Sequence, residues 1–100
     1  MNNNTNNNIE IILRNKIQSL ANFLISICNN ENKQKMIEDT MIGLPLYKIL
    51  LFISLLDKNK FNHQIDDFVK LYEINDNDYN REIIIEYLNY FINVKEILNE

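Results

Sequence analysis

Apolar and polar positions alternate with helical period along most of this chain, most strongly over residues 77–100. There Ile84, Tyr87, Phe91, Val94 and Leu98 recur at spacings of 3, 4, 3 and 4, which puts them on one side of an α-helix. Glu82, Glu86, Asn89, Asn93, Glu96 and Glu100 run down the other side, and Ile83, Ile85, Leu88, Tyr90, Ile92 and Ile97 widen the apolar face. At ~1.5 Å per residue such a helix is roughly 35 Å long. The band is too wide for a two-stranded coiled-coil seam and lasts barely three heptads. It therefore predicts a helix that touches several neighbours at once.

The rest of the chain divides into further helices. Residues 1–7 are almost all Asn, bury nothing, and are expected to form a disordered tail. Asn7 and Glu10 have the spacing of a capping box, so the first helix is predicted over 8–28. Its stripe is Leu13, Ile17, Leu20, Leu24 and Ile27. A shorter helix over 32–42 presents Met36, Ile37, Thr40 and Met41, and Gly43 stops it. Pro45 suits the first turn of a third helix over 45–57. That helix is apolar on nearly every side, with Lys48 and Ser54 as its polar positions. A helix of this kind belongs at the centre of a bundle, or at a partner interface if the bundle is incomplete. Asn62 is a good N-cap for a fourth helix carrying Ile65, Phe68, Val69 and Tyr72. The expected fold is an all-α, single compact bundle of about five helices: one domain over 8–100 behind the tail.

Composition strengthens this reading. Gly and Pro occur once each, too few for the tight turns of a sheet protein. Ile and Asn, at 17 and 19 copies, fit coding bias in an AT-rich genome. The net charge of −4 is uneven: residues 1–60 hold seven basic and five acidic side chains, residues 61–100 three and nine. An acidic chain is poorly suited to phosphate backbones. Cys28 is the single cysteine, so no internal disulfide can form. The start of the chain lacks the basic-then-apolar order of a secretory leader. The longest apolar run, 44–56, is shorter than the ~20 residues of a membrane span. Together these predict an intracellular, cytoplasmic protein with no membrane span. Asn3 matches a glycosylation acceptor, as chance provides in an Asn-rich stretch.

Several short motifs carry candidate chemistry. The pair over 63–92 is placed like a helix-turn-helix, but Glu73 occupies the position where a small residue is usual. The would-be reading helix opens with Arg81 alone against Asp78 and Glu82. Such a nucleic-acid reading needs Lys33, Lys35, Lys58 and Lys60 on one surface. Asp76, Asp78 and Asn80 open like a calcium loop, but Arg81 and Tyr87 stand where Gly and Glu are required. His63, Asp66 and Asp67 have metal-ligand spacing on a helix without further His or Cys support. Cys28 reads as a small core residue. No nucleophile, phosphate loop or cofactor site is evident, so no enzyme, metal or cofactor is expected. The surplus of apolar surface, with tyrosines enriched near the last helix, points to a non-enzymatic protein-interaction module. Its candidate interface is Ile83, Tyr87, Tyr90, Phe91, Val94, Ile97 and Leu98. The expected partner is another protein or a second copy of the chain as a homodimer.

Overall fold

The short polar side chains of Asn30, Asp57 and Asn77 set the starts of two helices and of the turn that leads into a third. A computed structural model describes residues 3–99, with side chains from Asn8 onward. Among the described residues it holds five α-helices and no sheet. These are α1 at Asn3–Ser26, α2 at Glu31–Met41, α3 at Leu46–Leu55, α4 at Phe61–Tyr72 and α5 at Asp78–Leu98. A single 3-10 turn at Lys58–Lys60 leads into α4. This is the all-α bundle that the periodicity predicts. No helix among the described residues is long and apolar enough to cross a membrane.

Asn30 starts α2 by accepting from the backbone N–H groups of Asn32 and Lys33. Asn77 starts α5 by accepting from that of Asn80. Each satisfies donors that the first turn of a helix leaves unpaired. Gly43, at φ 77°, turns the chain after α2, and Pro45 is the N-cap of α3. The start predicted at Asn62 is displaced. Asp57 lies upstream and accepts from the Asn59 N–H, and the turn it begins runs directly into α4 at Phe61. The backbone of α1 is helical from Asn3, earlier than the predicted start near Asn8. Glu10 accepts from Arg14 one turn further on, at 2.8 Å. Of the tail expected over 1–7, residues 1 and 2 and the side chains of 3–7 lie outside the described residues.

The core is one cluster. Leu13, Ile17, Leu20 and Leu24 of α1 are buried as their spacing predicts, and Cys28 rather than Ile27 takes the next place. Ile37, Ile49, Ile53 and Ile65 come in from α2, α3 and α4. The deepest line of α5 is Ile84, Leu88 and Phe91, with Ile92 beside it. Tyr87 and Val94 of the predicted stripe sit half-buried on one flank of that line, and Leu98 is half exposed. A wide apolar face permits this rotation, because either stripe satisfies the same spacing rule.

The third helix does not take the central position, the first of its two expected places. It packs on α1 and α5 and buries Ile49 and Ile53, but Tyr47, Leu51 and Leu55 are 68%, 57% and 67% exposed. Thus α3 lies at the edge of the bundle. Two neighbouring helices cover one side of α3, and no element among the described residues covers the other.

Two stability measurements follow from this layout. Leu20→Ala and Ile53→Ala should each cost about 2–5 kcal/mol in urea unfolding, and Leu51→Ala no more than about 0.5 kcal/mol. Equal losses for Ile53→Ala and Leu51→Ala would contradict an edge position for α3. Glu73 ends α4 in the left-handed conformation, at φ 52°, which costs a non-glycine residue ~1 kcal/mol or more. Glu73→Gly should therefore raise stability by about 0.5 kcal/mol after the added freedom of the unfolded chain is deducted. A loss of stability would show that the side chain matters more than the backbone.

Candidate functional site

The interface residues proposed from sequence are all on α5, and the fold separates them by depth. Phe91 is fully buried, edge-on to Phe52 of α3 with ring centres 5.7 Å apart. It belongs to the core of this chain and presents nothing to another one. Ile83, Tyr87, Tyr90 and Val94 are half-buried. Lys16 of α1 lies over the Tyr90 ring at 4.6 Å and the Tyr87 ring at 5.5 Å, within cation–π range. Phe23 stands 6.5 Å from Tyr87. These contacts with α1 occupy one side of both tyrosines. Ile97 and Leu98 are 67% and 50% exposed.

The exposed pair does not stand alone. α5 begins beside the end of α1, where the Asn75 N–H donates to the Ile27 carbonyl at 2.8 Å. It then runs back antiparallel, which brings its last turns to the first turns of α1. A groove opens there between Ile9, Ile12 and Leu13 on one wall and Tyr90, Val94, Ile97 and Leu98 on the other. Among the described residues, no charged side chain lines it. Leu98 also borders a second depression with Leu50 and Ile53 of α3. Ser54, Lys95 and Asn99 line the same depression, so the exposed apolar side chains of α5 and α3 adjoin across a partly polar seam. Beyond Leu50 lies the ridge of Tyr47, Leu51 and Leu55, which share one side of α3 at four-residue spacing. Lys95 joins the two helices: its ammonium donates to the carbonyls of Leu56 and Ser54, at 2.9 and 3.1 Å, at the end of α3. A cation there satisfies carbonyls that the helix leaves open.

The opposite end of the molecule is polar and internally engaged. Arg81 donates to both oxygens of Asp76, at 2.6 and 2.9 Å, and to Asp66 of α4. The hydrogen bond to Arg81 is the main cause that holds the Asp76 carboxyl below its ordinary value, and the same bonds raise Arg81. The one cation at the start of the would-be reading helix is thus paired with two acids of its own chain. The four lysines that a nucleic-acid surface needs are also divided. Lys33 lies 4.0 Å from Glu73, after the end of α4, whereas Lys58 and Lys60 precede its first residue. The twelve residues of α4 put roughly 18 Å between them.

The other motifs serve the fold. Asn80 is buried and donates to the Asn75 carbonyl at 2.8 Å, and Asp78 stands in the first turn of α5. Asp66 accepts from Arg81 rather than facing His63 as a co-ligand. Among the described residues, no group of three His, Cys, Asp or Glu side chains gathers as a metal-ligating set. Cys28 is buried, with its thiol donating to the Tyr72 carbonyl at 3.2 Å. Sequence reasoning missed the contribution of α1 to this surface, whereas the lack of a polar side on α3 leaves a partner interface as one of its two expected places. Comparison with models of protein families, with characterised proteins and with solved structures finds no match to this chain.

The Arg81 cluster has a defined pH dependence. A carboxylate whose folded pKa lies below its unfolded value of ~3.9 contributes stability that is fully present above that value. The contribution is lost as pH falls through the folded value. Arg81→Met should therefore lower the urea midpoint at pH 7, and the gap from the parent should narrow below about pH 4. A gap that persists undiminished at pH 2 would assign the loss to packing by the Arg81 stem instead.

Proposed function

We propose that this chain is a non-enzymatic helical protein-interaction module that docks through the apolar surface shared by the end of α5, the outer side of α3 and the start of α1. One observation carries this reading. Where α5 finishes, exposed apolar side chains of α1 and α5 wall one groove, and Leu98 shares a second depression with Leu50, which is followed on α3 by the exposed Leu51. Scattered exposed leucines are ordinary on soluble proteins, whereas a contiguous patch marks a surface that another molecule covers. The chemistry elsewhere supports it. The polar clusters at the α4–α5 turn are occupied with capping and with Arg81, and they offer no converging acid, base and nucleophile.

A nucleic-acid-binding regulator built on the pair over 63–92 is the weaker reading, since Arg81 is paired internally and the lysines stand apart. Photo-crosslinking in the native cell tests the interaction reading. A crosslinker replacing Leu51 or Ile97 should yield discrete protein adducts, whereas one replacing exposed Lys35 or Asp67 should not. Adducts from neither apolar position, or equal yields from all four, would dismiss the surface as a docking site.

A further inference from the structure

We infer that the occupant of this surface is a second copy of the chain, joined about a two-fold axis near Leu98 and Leu50; the inference rests on the interaction reading above. Three features of the surface point to self-pairing. The first is its shape. A closed two-fold interface must be complementary to itself, and this surface holds both a groove and a ridge. The groove is the one between α1 and α5, walled by Ile12 and Ile97. The ridge is Tyr47, Leu51 and Leu55 on α3. Leu98 and Leu50 meet between the two. A two-fold rotation about that point places the ridge of each copy over the groove of the other.

The second feature is area. Ile12, Tyr47, Leu51, Leu55, Ile97 and Leu98 are each 50% or more exposed. At roughly 200 Å² for a large side chain standing free, they present on the order of 700 Å². That is close to the ~800 Å² per partner of a standard interface. It is also close to the tenth of a small protein's surface that such interfaces occupy, given a total of 6669 Å² here.

The third is charge. Two copies at −4 each repel, but the acidic surplus lies at the far end, on Asp66, Asp67, Glu73, Asp76, Asp78 and Glu82. The charged groups beside the apolar surface are of both signs. Lys48 is exposed on α3, and Glu96 is exposed next to Ile97 on α5. With the ridge of one copy over the groove of the other, Lys48 of each faces toward the α5 end of its partner. The two copies thus meet away from the acids around the α4–α5 turn, at an end where Glu10 and Glu96 stand among Arg14, Lys48 and Lys95.

Sedimentation velocity of the full chain tests the inference. At tens of micromolar the parent should sediment at twice the 12.0 kDa of one chain. Leu51→Glu combined with Ile97→Glu should sediment as a single chain, with an unchanged helical circular dichroism spectrum. As a check that does not depend on that variant, a crosslinker at Leu51 in the purified chain should give one adduct of twice the chain mass. A parent of single-chain mass over the whole range, or open-ended larger species, would overturn self-pairing. A dimer that survives both substitutions would place the contact elsewhere and overturn it too. If the purified chain is single yet Leu51 crosslinks in the cell to a product of another mass, the second copy is rejected and the interaction reading stands. If neither setting gives an adduct, both fall.

Discussion

The arrangement of the bundle depends on a short backbone contact between two connections. Cys28, just after α1, pairs with Ile74, between α4 and α5, as an isolated antiparallel bridge. The Asn75 N–H donates to the Ile27 carbonyl, and the Cys28 thiol donates to the Tyr72 carbonyl. The Gln34 amide closes the same point from α2, donating to the Cys28 carbonyl at 2.6 Å. The last carbonyls of a helix have no partner within it, so buried ends of α1 and α4 would be costly if left apart. Joined, each supplies what the other lacks. The contact fixes where α5 starts relative to where α1 stops, and α5 can then only run back along α1.

That constraint accounts for the uneven closure of the α1–α5 pair. At the tied end the helices are held by backbone. In the middle, Phe23 and Lys16 lie against Tyr87 and Tyr90. At the far end a groove opens, among the described residues, between Ile9 and Ile12 on one side and Val94 and Ile97 on the other. α3 completes that end from one side only, clamped by Lys95 on its final carbonyls and by the Phe52–Phe91 contact. The molecule is thus polar and internally satisfied where its connections meet, and apolar and uncovered where its long helices finish. That division is what the proposed docking role rests on.

Much of this was legible in the chain itself. The stripes of α1 and α4, the stop at Gly43 and the opening of α3 at Pro45 all follow from spacing and from side chains that satisfy their own neighbourhood. Ile97 and Leu98 were recognisable as interface candidates because a 3.6-residue period shows when a face is too wide. Phe91 was not separable from them. Both lie on that face, and only the position of Phe52 decides that one is inside and the other is not. The N-cap at Asp57 was also hidden, since Asp57 and Asn62 are both competent caps and the path of the preceding loop chooses between them.

Sequence alone therefore determined the helices, their order and the total apolar surface that must leave water, because these depend on residues a few positions apart. The tertiary structure decided which of that surface is covered. α3 illustrates the reason. Its composition demands burial on every side, yet coverage depends on how many other helices can reach it, and here α1 and α5 do so from one side. The number of neighbours is a property of the whole packing, set by the tie at Cys28 and Ile74 and by the lengths of the connections. No local pattern within α3 encodes it.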